Sequence, residues 1–234
     1  MNRLFSPEML MMFGEGTLLT LYMTLAATFF AYLVGMPLGV LLVTSAKDGI
    51  HPLPALSRIL GFIINVLRSV PFLILIILVI PVTRAIVGTY IGPTATIVPL
   101  FIAAAPFIAR LVESSLQEVD KGVIEAAWSM GSSPMRIITR VLIPEARPSL
   151  LLGAAIAVTT ILSYSAMAGA VGGGGLGDIA IRYGYHRYQA DVMIVTVALL
   201  VIIVMVLQFL GEKWSRSTDH RSSSGIGKFD KNTL

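Results

Sequence analysis

The sequence predicts an all-α protein with several membrane-spanning helices. Of its 234 residues, 56% are hydrophobic and 13% are charged, and the mean hydropathy is +0.84. A soluble domain usually carries about 25% charged residues. Several charge-free stretches reach the roughly 17–25 residues with which a helix crosses a hydrocarbon core, whereas the strands of a membrane barrel run only about 10 residues. Composition and segment length together indicate a polytopic helical membrane protein.

Five stretches have the length of a membrane-spanning helix. They cover residues 17–44, 59–81, 91–109, 149–177 and 192–211, and the second contains a single charged residue. In the first stretch, Gly35 and Gly39 lie four residues apart around Pro37, a spacing that favours close helix packing or a kink. The fourth stretch ends in a glycine-rich run over 172–177, where we expect the helix to unwind as it leaves the membrane.

The segments around these stretches suggest three regions. Residues 1–16 are rich in Leu, Met and Phe, so we expect a short segment that lies on the outer membrane surface. Residues 17–211 form the predicted transmembrane domain, which includes a charged loop over 110–148. The tail over 212–234 combines serines with mixed charges and cannot bury a core, so it is expected to be disordered.

The basic residues are distributed unequally between the two sides of the membrane domain. Twelve of the 17 Lys and Arg residues fall in the loops 45–58 and 110–148 and in the tail, which all lie on one side. The other side holds only four, namely Arg3, Arg84, Arg182 and Arg187. The positive-inside rule therefore predicts an external N-terminus and a cytoplasmic C-terminus, as an odd number of spans requires. This distribution accounts for the net charge of +4 without a nucleic-acid partner.

The chain lacks the residues or motifs that several kinds of metal, nucleotide and cofactor sites require. There is no cysteine, and the three histidines, at 51, 186 and 220, do not have the spacing of metal ligands. No G-x-x-x-x-G-K-[ST] motif occurs, so we expect no ATP site in this chain. The run 172–177 satisfies G-x-G-x-x-G, but it follows a membrane-length segment instead of a strand, which argues against dinucleotide binding. We therefore expect no cofactor and no metal in this chain.

The charged loop over 110–148 contains signals for two short helices. Asp120 can cap a helix over the following residues, and Gly131 stands where a left-handed residue often ends one. Ser133 and Pro134 are typical of the N-cap and first position of a second helix, which we expect to end near Pro144. The first helix has an apolar face that nothing else in the loop is large enough to cover. It fits a groove on another molecule, or else it rests on the spans of its own chain.

Four parts of this loop resemble the EAA loop of the permease subunits of ABC importers. The family pattern is EAA-x3-G-x9-I-x-L-P, and the matching residues are Glu125, Ala126, Ala127, Gly131, Val141, Ile143 and Pro144. The chain departs from the pattern at Val141 and Ile143, which are apolar changes of similar volume. The resemblance implies that residues 125–131 form the coupling helix that sits in a separate ATPase subunit.

Three further segments, over 105–110, 163–172 and 182–185, resemble the permeases of methionine ABC importers in particular. This resemblance runs from about residue 17 to residue 211. It implies a five-span permease in the bacterial inner membrane that works as a homodimer. It also implies two cytoplasmic ATPase subunits, which would hold ATP and Mg²⁺, and an external substrate-binding protein that delivers an amino acid.

The fourth predicted span carries four candidate residues for the transport path, namely Thr160, Ser163, Tyr164 and Met167. Their helical spacing places them on one face, and hydroxyl groups in hydrocarbon need partners. The stripe therefore suits either a helix interface or a substrate path. By the family resemblance, this face lines the dimer axis, and Met167 is similar to the side chain that closes the path.

Arg68 is the one charged residue within a predicted span. Charges inside membranes usually face a cavity or a partner, so we expect Arg68 to face the path or to stabilise the dimer. The alternative is that its long side chain reaches back to the cytoplasmic interface.

Two other classes of function remain open at this point. An ATP-independent channel or carrier would explain the spans, but it would not need a coupling helix. An intramembrane enzyme is less well supported, because the chain has no H-E-x-x-H motif and no Ser/His pair within the spans. The sequence therefore favours a transport subunit that does not itself catalyse a reaction.

Overall fold

The computed structural model describes residues 6–218, and all regular elements in that range are helices. This confirms the predicted all-α class. In chain order the α-helices are α1 (Pro7–Ser45), α2 (Pro54–Ser69), α3 (Phe72–Leu78), α4 (Ile80–Val87), α5 (Pro93–Gln117), α6 (Lys121–Ser129), α7 (Pro134–Ile137), α8 (Ile143–Glu145), α9 (Arg147–Ala168), α10 (Gly175–Ile179) and α11 (Ala190–Thr218). Two π-helical turns, Ile138–Leu142 and Ala180–Tyr185, and a 3-10 turn, Gly169–Val171, join some of them.

Four helical segments are long and apolar enough to cross a membrane, namely α1, α5, α9 with its 3-10 turn, and α11. The pair α2 and α3 makes a fifth span if the two are counted as one. The predicted span over 59–81 is broken rather than straight, because α2 and α3 are bent by 101°. Val70 has extended backbone angles and precedes Pro71, and a residue before proline disfavours the helical conformation.

Helices α1 and α5 pack with their backbones in close contact. A Cβ added at Gly35 would lie 2.7 Å from the carbonyl oxygen of Ala105, and one at Gly39 would lie 2.6 Å from that of Ala109. Real Cβ atoms do not approach backbone oxygen so closely. The two glycines therefore mediate close helix packing, one of the two roles that their spacing predicted.

The main core lies between α1, α5 and α9, and a second cluster lies near the N-terminal end of α1. The second cluster joins Phe13 of α1 to Leu176, Ile179 and Val192. Thr20 Oγ1 accepts a hydrogen bond from the Leu176 N–H at 2.8 Å. Residues from Pro7 onward are thus continuous with the first span and packed against α10 and α11. An outer-surface location of segment 1–16 stays a prediction.

The glycine-rich run ends the fourth span in the way its composition suggested. Regular α-helix stops at Ala168, and Gly172 and Gly174 have φ angles of 81° and 83°. These left-handed conformations favour glycine because it has no Cβ. The chain then continues into the short helix α10, with no strand on either side of the run among the described residues.

The last helix extends past the predicted end of the transmembrane domain at residue 211. Helix α11 continues to Thr218, and the Ser215 hydroxyl donates a hydrogen bond to the Pro148 carbonyl at 2.8 Å. The beginning of the predicted tail 212–234 is therefore helical and attached to the start of α9. Residues 219–234 lie outside the described part of the chain.

Candidate coupling surface and transport path

Helix α6 begins and ends at the residues that the sequence indicated. The Asp120 carboxylate accepts a hydrogen bond from the Gly122 N–H at 2.6 Å and caps the first turn. Gly131 has a φ of 76°, and its N–H donates to the Trp128 carbonyl at 2.8 Å. The second helix begins at Pro134 with Ser133 as its N-cap, but the Ser133 side chain makes no capping bond. These local predictions are confirmed.

One face of α6 rests on the protein and the other is open. Ala127 is buried with 3% of its surface exposed, and Ile124 packs against the main core. Val123 and Trp128, which flank the buried side of the helix, are 42% and 43% exposed, and Met130, just after the helix, is 78% exposed. The helix therefore rests on its own chain and still presents exposed apolar side chains, and its fit to a groove on another molecule stays a prediction.

The polar side of this surface carries the acidic residue of the signature. Glu125 and Ala126 are exposed. Glu125 lines a pocket of about 600 Å³ between α6 and the loop after α1, together with Lys47, Asp48 and Trp128. The outer surface of α6 thus combines an acidic group with an adjacent pocket and a partly exposed tryptophan.

The second half of the signature attaches the loop to the membrane domain. Val141 and Ile143 are half-buried and Pro144 is exposed, whereas Leu142 between them is fully buried. The predicted helix from Ser133 towards Pro144 consists of α7, a π-helical turn and α8. Leu142 belongs to the main core. Leu142, at a variable position of the pattern, is the most buried anchor of this segment, and Ile143 also packs against the main core.

Among the four candidate path residues of α9, Thr160, Ser163 and Met167 share one side of the helix, and Tyr164 lies in a different environment. Ser163 and Met167 are exposed, Met167 by 47%, on the same face as Leu152 and Ile156. The Thr160 and Ser163 hydroxyls donate to carbonyls within their own helix, at 2.8 and 3.1 Å. These hydroxyls therefore need no partner from another helix.

Tyr164 belongs to a different environment, next to the break between α2 and α3. Its ring stacks on Phe72 with centroids 4.7 Å apart and an angle of 5° between the planes. Arg68 lines the same pocket of about 200 Å³ as Tyr164 and Phe72. The structure thus brings Arg68 and Tyr164 to one site, and Ser163 and Met167 are not part of that pocket.

A polar contact between α2 and α5 was not predicted from the sequence. Arg110 donates from Nη2 to the Gly61 carbonyl and to Asn65 Oδ1, both at 3.0 Å, and its Nη1 pairs with Glu113 at 2.5 Å. Arg110 was counted only as a loop charge, although α5 continues to Gln117. An asparagine inside the second predicted span was the available signal.

On the predicted outer side, the turn between α10 and α11 is rich in aromatic and basic residues. Arg182 pairs with Asp178 at 2.5 Å, and the Arg187 guanidinium lies 4.6 Å from the centroid of the Tyr183 ring. Tyr188 is 90% exposed. Within residues 6–218, no group of three or more His, Asp or Glu side chains is placed to hold a metal ion.

A family model matches residues 35–221, which is most of the chain, and its description is "Binding-protein-dependent transport system inner membrane component". Among curated relatives, the "Probable D-methionine transport system permease protein MetI" of Vibrio cholerae serotype O1 is 54% identical over 202 residues, covering 86% of this chain and 90% of the relative. The "Methionine import system permease protein MetP" of Bacillus subtilis is 44% identical, covering 77% and 82%.

Solved structures agree with this result. A chain of the "MetNI methionine ABC transporter" in "inward facing conformations" has a TM-score of 0.91 and 46% sequence identity, covering 92% of this chain and 100% of that chain. A chain of "an amino acid ABC transporter with histidines" has a TM-score of 0.73 at 22% identity, which shows the shared fold alone. The family resemblance read from the loop is confirmed, and the chain belongs to the multi-pass inner membrane components of binding-protein-dependent transport systems.

Proposed function

We propose that this chain is the permease subunit of an ATP-driven ABC importer for methionine, in its D or L form, or for a related amino acid. The observation that carries the proposal is the 54% identity to a permease named for D-methionine transport, over 86% of this chain. The match includes the loop and the spans together, so it concerns a whole transport subunit. A separate enzyme activity is not needed to account for any part of the fold.

The path would form between two copies of this chain. Helix α9 presents an exposed face with Ile156, Ser163 and Met167 on it, and small or polar residues on such a face favour helix association in membranes. Two copies that meet along this face would bring their Met167 side chains together. A flexible thioether can fill a narrow gap and still yield when the helices part.

Each copy would engage one cytoplasmic ATPase subunit through residues 125–131. The exposed apolar side of α6, with Val123, Trp128 and Met130, supports this role because an amphipathic helix binds a groove through such a face. ATP and Mg²⁺ would bind to the ATPase subunits. An external substrate-binding protein would deliver the amino acid from the opposite side.

The transport proposal is tested by uptake into proteoliposomes that contain the complete complex and enclose ATP. With the binding protein outside, labelled L- or D-methionine should accumulate in the vesicles, whereas labelled glutamate should not. Accumulation should stop when the enclosed ATP is replaced by a nonhydrolysable analogue. Methionine flux that continues without ATP would instead support an ATP-independent channel or carrier.

The coupling role is tested at Gly131, where a Cβ would meet no atom within 4 Å. Any effect of substitution must therefore come from the backbone, whose φ is 76°. A non-glycine residue in this region costs about 1–2 kcal/mol, and asparagine tolerates it best. We expect Gly131→Val to lose most stimulation of ATP hydrolysis by the loaded binding protein, and Gly131→Asn to retain it.

A second variant tests the acidic residue of the same surface. Glu125→Lys reverses the charge of an exposed side chain on α6, so assembly of the purified complex and stimulated ATP hydrolysis should both fall. Glu118→Lys provides a matched charge reversal outside the signature. If Glu125→Lys and Glu118→Lys behave alike, residues 125–131 are not the coupling helix.

A further inference from the structure

A small pocket lies where the second predicted span breaks. It has a volume of about 200 Å³, is open on one side, and is lined by residues of α2, α3, α5 and α9, among them Leu67, Arg68, Phe72, Leu75, Phe107 and Tyr164. Ligand sites for drug-sized molecules usually measure about 300–1,000 Å³. This pocket is therefore suited to a solute smaller than a drug-sized molecule, such as a single amino acid.

Arg68 has no charged partner within the described part of the chain. Between residues 6 and 218, no carboxylate lies within ion-pair distance of its guanidinium. The group lies 6.0 Å from the centroid of the Phe107 ring, a cation–π contact that leaves its N–H donors available. A charged side chain within a membrane-length segment is costly unless it faces a partner or a cavity. Arg68, which is exposed in the isolated chain, lines this open pocket.

The other walls of the pocket define the rest of the ligand. Leu67, Phe72 and Leu75 are apolar, and the Tyr164 ring is held parallel to Phe72 at 4.7 Å. An arginine fork binds a carboxylate through two parallel hydrogen bonds. The pocket therefore offers a guanidinium group that can bind a carboxylate and, next to it, an apolar wall that can contact a side chain.

We infer that this pocket is a binding site for the transported amino acid within the permease, in which Arg68 binds the carboxylate and the aromatic and aliphatic wall takes an apolar side chain. This inference rests on the proposed function for the identity of the solute. It adds a point of selection after the external binding protein has released its ligand. A solute without a carboxylate should not be retained there.

The site can be probed without measuring transport, because the chain has no cysteine. Ala103 and Val70 line the pocket and are half-buried, so Ala103→Cys and Val70→Cys each place one thiol in it. In the purified complex without binding protein, the rate of thiol modification is measured on this chain after gel separation. We expect methionine to slow modification at both positions, and methioninol, which lacks the carboxylate, to leave it unchanged.

Two controls tie the protection to Arg68 and to this pocket. In the Ala103→Cys background, Arg68→Met should abolish protection by methionine, whereas Arg68→Lys should retain part of it because the charge remains. Ser133→Cys, an exposed position in the cytoplasmic loop, should be modified at the same rate with and without methionine. Equal protection by methionine and methioninol would overturn carboxylate binding.

The two proposals fail in distinguishable ways. If the wild-type complex accumulates methionine but neither pocket thiol is protected, the site is wrong and the transport function stands. If the complex does not accumulate methionine, the proposed substrate is wrong, and the same thiols are then tested with the other apolar amino acids. Protection by one of them that is lost in Arg68→Met supports the site, and protection by none of them overturns it.

Discussion

The Arg110 guanidinium donates a hydrogen bond to the Asn65 side-chain oxygen at 3.0 Å and thereby fastens α2 to α5. The same Arg110 nitrogen also donates to the Gly61 carbonyl, one turn earlier in α2. Helix α5 leads directly into α6, and α2 ends at the break next to the Arg68 pocket. This contact therefore lies between the loop that contains α6 and the candidate binding site.

We expect Asn65→Ala to lower the stability of the purified chain by about 0.5–1.5 kcal/mol, the usual net value of one hydrogen bond. For a protein of this size, each kcal/mol corresponds to a loss of about 2–4 °C in Tm, which a thermal melt in detergent can resolve. Arg58→Ala is the matched control, because Arg58 is exposed on α2 and bonds only to its own helix. If the two variants have the same Tm, the hydrogen bond between Arg110 and Asn65 does not contribute to stability.

The two glycines of α1 give a test of the close packing against α5. Gly39→Ala would place a Cβ 2.6 Å from the Ala109 carbonyl oxygen, and overpacking of this kind costs about 1–3 kcal/mol. Gly14→Ala lies in the same helix with no atom within 4 Å of the new Cβ. It should be neutral or stabilising by up to about 1 kcal/mol, because glycine weakens a helix. Thermal melts that show equal destabilisation in both variants would contradict this packing.

Signals that act within a few residues could be predicted from the sequence. Asp120 and Gly131 fulfil their roles through backbone groups of their own turn, at Gly122 and Trp128. The resemblance of the loop to a family signature was equally local. Such features do not depend on how the helices pack.

Contacts between distant helices could not be predicted in the same way. Arg110 and Asn65 are 45 residues apart in the chain, and their contact exists only because α2 lies across α5. Pro71 disfavours a helical conformation at Val70, but the 101° bend between α2 and α3 also depends on where α3 packs. For the same reason Tyr164 does not share the environment of the other stripe residues on α9. Its ring stacks on Phe72 of a neighbouring helix.

The predicted orientation can be tested with two exposed positions that it places on opposite sides of the membrane. Tyr188 is 90% exposed in the turn before α11, and Ser133 is exposed in the loop after α6. If the N-terminus is external, an impermeant maleimide should label Tyr188→Cys in intact spheroplasts. It should label Ser133→Cys only after lysis. The reverse pattern would mean that the N-terminus is cytoplasmic.

The face of α9 that carries Met167 is the remaining test of the proposed dimer. Met167 is 47% exposed in a single copy, and Val201 of α11 is exposed to nearly the same extent, 49%. If the two copies meet along α9, Met167→Cys should form a disulfide between them under mild oxidation, and Val201→Cys should not. Exposure alone cannot explain such a difference, because both thiols are equally accessible in the monomer.

Met167 should also limit leakage of substrate through the closed path. Met167→Ala removes most of a flexible side chain from each copy, so the closed state should leak methionine from preloaded vesicles faster than wild type does. Ile156→Ala is the control, because Ile156 is exposed on the same face of α9 but lies elsewhere along the helix. If the closure is local to Met167, this variant should leak less than Met167→Ala. Efficient crosslinking through Val201→Cys, with none through Met167→Cys, would assign the dimer axis to α11 and remove Met167 from the gate.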